Sequence, residues 1–215
     1  MALLRLKSGK KPDRKRKIIE AATELLLENG SSQLNLLRVA MKSGVAPDQI
    51  NLHFISRDGL MDALAESLTH ENLIQFRSRI SNLEKGNSRI SLDNLINALL
   101  EHMTDKRNAF ISIELMAMAN QSATIAQAVK RLHENTRRVF AQALGLMPDH
   151  IGAGRFMQHL QLLMVVAGGI AGEFGRTDRP DAELDRIKHM ARELLLPQLR
   201  VELKATLQAQ STFET

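Results

Sequence analysis

Apolar residues recur along this chain at intervals of three and four positions, which is the period of an amphipathic helix. No alternation of apolar and polar residues with a period of two persists, and glycine and proline are few. Apolar residues make up 44% of the 215 positions, enough to fill a sizeable core. The pattern therefore predicts an all-α protein in which an N-terminal domain of three helices precedes a larger helical domain.

Glycine, proline and capping residues divide this pattern into nine predicted helices. The first helix ends at Asn29-Gly30, and the eighth opens at Pro148. Residues 179–181, Arg-Pro-Asp, open the ninth helix. Pro197 is expected to end or kink that helix, because proline lacks the backbone N–H that a helix interior requires. The polar tail from Gln208 is expected to fray.

The most informative stretch runs from Asn35 to Leu60, where two short apolar-periodic segments meet at a glycine turn. Asn35 can cap the first segment, and Gly44 suits the left-handed backbone that ends a helix. Ile50 and Phe54 give the second segment an inward face. Between these apolar positions lie Pro47 and the polar residues Asp48, Gln49, Asn51 and His53. This arrangement predicts a helix-turn-helix motif, whose second helix enters the major groove of DNA.

Several residues around this motif match a known pattern. They are Arg16-Lys17-Ile18-Ile19, Ala21-Ala22, Gly30, Val39-Ala40, Gly44-Val45, Phe54, Arg57 and Leu60. On these residues the chain resembles the TetR family of one-component transcriptional regulators, specifically over roughly its first quarter. The resemblance implies a double-stranded DNA operator, an effector pocket within predicted helices four to eight, and a homodimer formed through helices eight and nine.

The recognition segment departs from the commonest pattern of that family. Asn35 replaces a threonine, Asp48 often a glycine, and Asn51 a tyrosine that usually contacts phosphate. Residues 50–54, Ile-Asn-Leu-His-Phe, are similar to an Asn-x-His-Phe variant of the family. In that variant the middle position is a tyrosine, which Leu52 replaces in this chain. Members with this variant include fatty-acid-sensing repressors, so the resemblance implies a fatty acid or acyl compound as the effector.

Positive charge is concentrated at the N-terminal end of the chain. Residues 1–60 hold 11 Lys and Arg against six Asp and Glu, whereas residues 61–215 hold 18 of each. The net charge of +5 therefore lies with the predicted motif, as phosphate binding by counterion release requires. Residues 1–12 are predicted to form a disordered basic arm. The alternative is a solvated basic tail with no partner.

These observations select a set of candidate DNA-binding residues. The set is Lys10, Lys11, Arg14, Asn35, Arg38, Pro47, Asp48, Gln49, Asn51, His53 and Arg57. The amides of Gln49 and Asn51 can bond adenine or reach phosphate, and for Asn51 the choice stays open. Lys10, Lys11, Arg14 and Arg57 are expected to add charge-driven contacts. Arg57 also begins the fourth helix, where free backbone N–H groups can help to bind an anion.

Soft apolar side chains in the middle helices suggest a pocket for a small apolar effector. The candidate pocket residues are Met103, Phe110, Ile113, Met116, Phe140, Met157, Leu160 and Met164. The alternative is an ordinary methionine-rich core.

The eighth and ninth predicted helices carry a candidate dimer interface. Gly168 and Gly172 are four residues apart, a spacing that lets two backbones approach closely, although each glycine weakens its own helix. The other candidate interface residues are Leu184, Ile187, Ala191 and Leu194. The alternative is that the glycines pack within one subunit.

Catalytic and metal-binding signatures are missing from the sequence. There is no cysteine, no G-x-S-x-G, no H-E-x-x-H and no P-loop, and the seven histidines are scattered. We therefore expect neither an enzyme nor a cofactor or metal site. The longest apolar run, Leu162 to Gly172, has 11 residues, about half of what a membrane span needs. The N-terminus has no apolar signal core, so we expect a cytoplasmic protein with no membrane partner.

The sequence thus predicts a basic arm (1–12), a helix-turn-helix domain (13–56) and an effector-binding and dimerisation domain (57–208). The predicted function is a homodimeric repressor released from its operator by a small apolar effector. One alternative is a DNA-binding protein without an effector, controlled by a protein partner or by abundance. Another is a ligand-binding or protein-interaction dimer whose degenerate motif no longer reads DNA. Asp48 motivates the last alternative, since a carboxylate near phosphates is unfavourable unless it accepts from a cytosine amine.

Overall fold

The computed structural model describes residues 14–86, 90–146, 154–174 and 181–213, and these ranges contain helices and no strand. The helices are α1 Arg14–Asn29, α2 Leu36–Ser43, α3 Pro47–His53, α4 Arg57–Gly86, α5 Leu92–Thr104, α6 Lys106–Ala119, α7 Ala123–Ala143, α8 Arg155–Phe174 and α9 Asp181–Phe213. A short 3-10 turn, Ser31–Gln33, joins α1 to α2 and was not predicted. The all-α prediction is confirmed.

Side-chain caps determine where four of these helices begin. In each case a side-chain oxygen accepts a hydrogen bond from the backbone N–H three positions later, at distances of 2.9 to 3.3 Å. The capping residues are Asn35 for α2, Ser91 for α5, Asp105 for α6 and Ser122 for α7. Each cap stabilises its helix by about 1 kcal/mol, because it pairs a backbone donor that the helix itself leaves unpaired.

The course of α9 differs from the sequence-based expectation. The helix continues through Pro197, so of the two outcomes expected there, an end or a kink, the end is wrong. It also continues past Gln208 to Phe213, where the polar tail was expected to fray. A proline inside a helix costs about 3 kcal/mol. Leu196 and Leu199 are both buried in the core beside it, and burying each leucine contributes roughly 1.5–3 kcal/mol, which offsets that cost. Pro148 and Pro180, expected to open α8 and α9, lie outside the described residues.

The chain divides into two compact units, with the boundary after Leu64, inside α4. The sequence instead suggested a boundary at Arg57. The guanidinium of Arg57 explains part of this difference, because it hydrogen-bonds to backbone oxygens of Ser31 and Leu34 in the first unit. The first turn of α4 is thereby tied to the helices that precede it.

The first unit packs α1, α2 and α3 around a small apolar core. Its buried side chains include Ile18, Ala22, Leu26, Val39, Ala40, Ile50 and Phe54. An ion pair adds to this packing at the surface, where Lys42 of α2 lies 2.7 Å from Glu28 and 3.3 Å from Glu24 of α1. Hydrogen bonds to these two glutamates raise the pKa of Lys42.

The second unit has a larger core to which α4, α5, α7, α8 and α9 contribute. Its main buried side chains are Phe76, Ile96, Leu99, Phe140, Phe156, Leu160, Leu163 and Leu199. Asp93 of α5 ties this core to α9, since it accepts hydrogen bonds from Arg192 at 2.9 Å and Arg200 at 2.8 Å. The Arg200 hydrogen bond, aided by Arg192 and opposed by partial burial, lowers the pKa of Asp93.

In the described ranges, no helix is both long and apolar enough to span a membrane.

Candidate nucleic-acid interface

The turn between α2 and α3 has the backbone geometry that the sequence predicted. Gly44 adopts φ 65° and ψ 18°, the left-handed conformation that ends a helix. A Cβ added at Gly44 would meet nothing within 4 Å, so the backbone conformation, and not lack of space, favours glycine here. Pro47 stands at the start of α3, where its missing N–H costs nothing. The two helices therefore form the expected helix-turn-helix.

Ile50 of α3 is fully buried, so it marks the side of the helix that faces the core. Successive residues of a helix are about 100° apart, so Asp48 and Leu52 point most directly away from Ile50. Both are exposed, and Leu52 exposes 76% of its surface. Gln49 and Asn51 flank this outward line on either side. The recognition surface thus has a carboxylate and a leucine at its centre, with amides at its edges.

Gln49 is held by a neighbour on α1. Its Oε1 accepts a hydrogen bond of 2.8 Å from Nη1 of Arg14, and its Nε2 lies 3.5 Å from a carboxylate oxygen of Asp48. The predicted base-reading amide and the predicted phosphate-binding cation are therefore paired with each other. A bidentate contact from Gln49 to adenine would require Arg14 to release Oε1.

Arg57 points its guanidinium at the protein backbone. Nε donates to the carbonyl oxygen of Leu34 at 2.7 Å, and Nη2 donates to that of Ser31 at 3.0 Å. Arg38 makes a similar local contact, because its Nη1 lies 3.3 Å from the carbonyl oxygen of Gln33 and 3.2 Å from its side-chain oxygen. These arginines order the segment between α1 and α2, a role that the sequence did not reveal.

The other candidate residues of this surface are placed as follows. Asn35 uses its side-chain oxygen to cap α2, whereas Asn51 and His53 are exposed on α3. Lys10 and Lys11 lie outside the described residues. In the described part of the first unit, four large apolar residues are exposed and were not selected from the sequence, namely Leu37, Met41, Leu52 and Ile55. The exposure of Leu52 could have been predicted from the sequence, because a helix places it about 200° from the inward-facing Ile50.

The structure brings together five of the eight candidate effector-pocket residues. Phe140, Met157, Leu160 and Met164 belong to the buried core of the second unit, and Met103 packs against it. Phe110 and Ile113 are half-buried outside that cluster, and Met116 is 58% exposed. This arrangement favours the ordinary-core alternative for the five residues that meet.

A separate cleft of about 260 Å³ lies between α4 and α7. None of the eight candidate residues lines it. Its walls are Arg77, Ile80, Ser81 and Glu84 from α4 and Val139, Gln142 and Ala143 from α7. The apolar residues Ile80 and Val139 are buried, whereas the charged and amide side chains are exposed. The cleft thus combines an apolar floor with polar groups at its mouth.

A buried histidine in the second unit also has an ordered polar environment. Nε2 of His102 lies 3.0 Å from the side-chain oxygen of Asn72, and Nδ1 lies 3.3 Å from Nδ2 of Asn108. The amide of Asn108 also donates to the carbonyl oxygen of His102 at 3.1 Å. Burial, aided by the charge of Arg79 and opposed by Asp105, lowers the pKa of His102 to about 4. A neutral ring that donates from Nε2 and accepts at Nδ1 satisfies this network.

The candidate dimer residues fall into two groups. Ala191 is buried against a cluster formed with Ile170 and Phe174, and Leu184 and Ile187 pack against the same cluster. These three residues of α9 therefore contribute to packing within the subunit, and their role at an interface stays a prediction. Gly168, Gly172 and Leu194 are exposed. A Cβ at either glycine would meet nothing within 4 Å, so close packing inside the subunit does not explain these glycines.

Residues 18–64 match the family model described as "Bacterial regulatory proteins, tetR family". An uncharacterized HTH-type transcriptional regulator of Bacillus subtilis (strain 168), YvdT, is 33% identical over 64 residues, which are 30% of this chain and 33% of that protein. The HTH-type transcriptional regulator UidR of Escherichia coli (strain K12) is 23% identical over 130 residues, 60% of this chain and 63% of UidR. The matched segments thus span less than two thirds of either relative.

Solved structures share the fold over a greater length. A transcriptional regulator from Rhodococcus sp. Rha1 superposes with a TM-score of 0.69 at 17% identity, covering 86% of this chain and 96% of that one. The fatty acid degradation regulator FadR from Bacillus halodurans superposes with a TM-score of 0.55 at 20% identity, covering 87% and 96% of the two chains. The chain therefore has the helical fold of these regulators, and its residues 18–64 form a helix-turn-helix domain of the TetR family.

Proposed function

We propose that this chain is a homodimeric DNA-binding transcriptional regulator, a repressor that a small apolar effector releases from its operator. The observation that carries the proposal is the exposed face of α3 within a helix-turn-helix that matches the family model. The N-terminal end of α1 adds four consecutive cations, Arg14-Lys15-Arg16-Lys17, all of them exposed. Such a surface suits a groove lined by phosphates.

The proposed DNA contacts divide by chemistry. Gln49, Asn51 and Asp48 carry groups that can read base edges, whereas Arg14 and the cations of α1 are placed to neutralise phosphates. Arg57 and Arg38 support the surface through their backbone contacts. Lys10 and Lys11 retain their proposed role as additional cations on the N-terminal segment. His53, exposed at the end of α3, is proposed as a further polar contact.

The proposed dimer forms through the exposed faces of α8 and α9. On α8, Leu162, Val165, Gly169 and Gly172 follow one another at intervals of three and four residues, which places them on one side of the helix. On α9, Met190, Leu194 and Val201 are exposed. Apolar side chains exposed in this way on two adjacent helices are typical of a buried contact between subunits. A two-fold dimer would present two copies of α3 to one DNA duplex.

The proposed effector is a fatty acid or an acyl compound. Its carboxylate would suit Arg77 at the mouth of the cleft between α4 and α7, and its chain would suit the apolar floor at Ile80 and Val139. The volume of about 260 Å³ approaches the lower end of the range for small-molecule sites. The alternative site is the methionine-rich core, where Met157 and Met164 could adapt their side chains to a ligand.

Binding of the full chain to duplex DNA tests the central proposal. The protein is incubated with genomic fragments, the bound fragments are sequenced, and the enriched site is compared with a shuffled duplex at several salt concentrations. We expect tight, salt-dependent binding to the enriched site and weaker binding to the shuffled one. Absence of salt-dependent binding to any duplex would overturn the regulator proposal in favour of the protein-interaction alternative, for which the exposed carboxylate of Asp48 is the specific observation.

Thermal unfolding with fatty acids of increasing chain length tests the effector proposal. A ligand at about 100 times its dissociation constant adds about 2.7 kcal/mol to the stability of the native state. Two filling variants locate the site, because Ala143→Trp blocks the cleft between α4 and α7 and Met157→Trp fills the methionine-rich core. Loss of the shift in only one variant identifies the pocket. If no acyl compound shifts the unfolding temperature, regulation by a protein partner or by abundance becomes the preferred mechanism.

A further inference from the structure

We propose that Leu52 determines operator sequence by contacting the 5-methyl group of a thymine in the major groove. This inference rests on the proposed DNA-binding function and assigns a base and a contact to one residue of the recognition surface. It starts from the direction of Leu52, which lies opposite the buried Ile50 on a helix of seven residues. Of the two side chains nearest to the floor of a groove that admits α3, Asp48 and Leu52, one is therefore apolar.

The chemistry of Leu52 restricts what it can read. A leucine side chain has neither donor nor acceptor, so it gains nothing from the hydrogen-bonding edges of the bases. Thymine alone among the four bases presents a methyl group in the major groove, and contact with that methyl is the apolar form of direct readout. With 76% of its surface exposed in the free protein, Leu52 has apolar area to bury against such a group.

The neighbours of Leu52 favour DNA over a protein partner as the occupant of this surface. Asp48, Gln49 and Asn51 surround it on α3 with polar groups, which a protein-binding apolar patch would leave unpaired on burial. The cationic start of α1 reaches the same surface, since Arg14 contacts Gln49 at 2.8 Å. A centre formed by a leucine and a carboxylate, with amides and a cation around it, fits a groove whose bases offer both methyl and hydrogen-bonding groups.

The pairing of Gln49 with Arg14 strengthens the assignment to Leu52. The amide expected to read adenine has its oxygen occupied, whereas the outward direction of Leu52 requires no rearrangement. Asp48 precedes Leu52 by one turn, a rise of about 6 Å, which corresponds to about two base-pair steps. The carboxylate of Asp48 is suited to accept from the amino group of cytosine. We therefore infer that the operator half-site carries a thymine about two steps from a cytosine.

Replacement of thymine by deoxyuridine tests the contact, because it removes the methyl group and leaves every hydrogen-bonding group in place. The duplex is first selected from a randomised library by the full-length protein. Each thymine is then replaced in turn, and binding is measured for the unmodified protein, for Leu52→Ala and for the control Leu37→Ala. Leu37 is an exposed leucine of α2, so the control removes similar apolar area away from α3.

At one thymine in each half-site, replacement by deoxyuridine should weaken the binding of the protein to the duplex about fourfold. This is the effect on affinity of burying one methyl group. Replacing both thymines should cost about fifteenfold. The loss should persist in Leu37→Ala and disappear in Leu52→Ala. Asp48→Ala should relax the preference for cytosine about two steps away and leave the thymine preference intact.

The assignment would be overturned if deoxyuridine lowered the affinity of the unmodified protein and of Leu52→Ala by the same factor. It would also be overturned if no thymine of the selected site lost affinity on removal of its methyl group. In either case the protein still binds DNA, so the proposed function stands while this inference fails. If the library yields no bound duplex, both the proposed function and the inference fall.

Discussion

Oε1 of Gln49 accepts a hydrogen bond of 2.8 Å from Nη1 of Arg14, which joins the start of α1 to the recognition helix α3. The sequence assigned separate tasks to these residues, base reading to Gln49 and phosphate binding to Arg14. Their contact means that the position of each side chain depends on the other. Removal of either one should therefore alter more than a single contact with DNA.

Gln49→Ala should lower affinity for the selected operator by about 1–3 kcal/mol and change affinity for a random duplex little, because an amide that reads a base contributes only at the correct sequence. Arg14→Ala should weaken binding to both duplexes and reduce the salt slope by about one. Fluorescence anisotropy on both duplexes at several salt concentrations measures these quantities. In the double variant the two losses should not add, since the residues are in contact. Equal weakening of both duplexes by Gln49→Ala would contradict base reading.

Arg57→Ala should destabilise the first unit, because the variant loses hydrogen bonds to the carbonyl oxygens of Leu34 and Ser31. We expect a loss of about 1–2 kcal/mol in the free energy of unfolding, measured in urea. Arg57→Lys should restore little, since an ammonium cannot reproduce the two-pronged contact. Arg16→Ala is the matched control, because within the part of the chain that the structure describes Arg16 makes an exposed ion pair with Glu20 at 3.1 Å. An unchanged urea midpoint with a lower salt slope would instead return Arg57 to its predicted role at phosphate.

Acid should destabilise the second unit through His102. Burial lowers the pKa of His102 to about 4 in the folded chain, whereas the ordinary value is 6.5. As the pH falls below 6.5, the unfolded chain binds a proton that the folded chain does not, so stability is lost between pH 6.5 and about 4. The loss by pH 5 is about 2 kcal/mol.

Urea unfolding of the unmodified protein and of His102→Gln at pH 7 and pH 5 measures this difference. The variant should lose less stability on acidification. Part of the slope should remain, because burial, aided by Arg137, also lowers the pKa of His133. His189→Gln, which removes an imidazole at an exposed position, is the control. An identical slope in His102→Gln and the unmodified protein would show that His102 does not carry the effect.

Local signals in the sequence were sufficient to predict much of the first unit. Asn35 caps α2 and Gly44 adopts the left-handed turn, because capping and turn geometry depend on residues within a few positions of each other. The pairing of Arg14 with Gln49 could not be predicted, since the residues are 35 positions apart and meet because α1 and α3 both pack against α2. Pro197 shows the same limit, because burial of Leu196 and Leu199 decides the course of α9 against the local preference of proline.

Helical periodicity also left the direction of several side chains undetermined. The sequence placed Ala191 and Leu194 on one apolar face of α9, yet Ala191 is buried in the subunit and Leu194 is 73% exposed. One side of α9 can pack within the subunit while a neighbouring apolar position stays exposed, and the boundary between the two sides depends on where α8 lies. The candidate pocket was similarly limited, because periodicity does not distinguish core methionines from those that line a cavity.

Leu194 and Gly172 provide the test of the proposed dimer. Leu194→Asp introduces a charge on an exposed position of α9, so the folded subunit should tolerate it while a contact between subunits should not. Gly172→Leu should also lower the dimer fraction, because a large side chain prevents close approach of a second helix at that point. Sedimentation velocity at micromolar concentration measures the fraction, and urea unfolding of each variant monitors the subunit itself. Met116→Asp, a charge at another exposed apolar position on α6, is the matched control and should remain dimeric. Monomeric sedimentation of the unmodified protein would contradict the proposed dimer, and loss of the dimer in Met116→Asp would place the interface elsewhere.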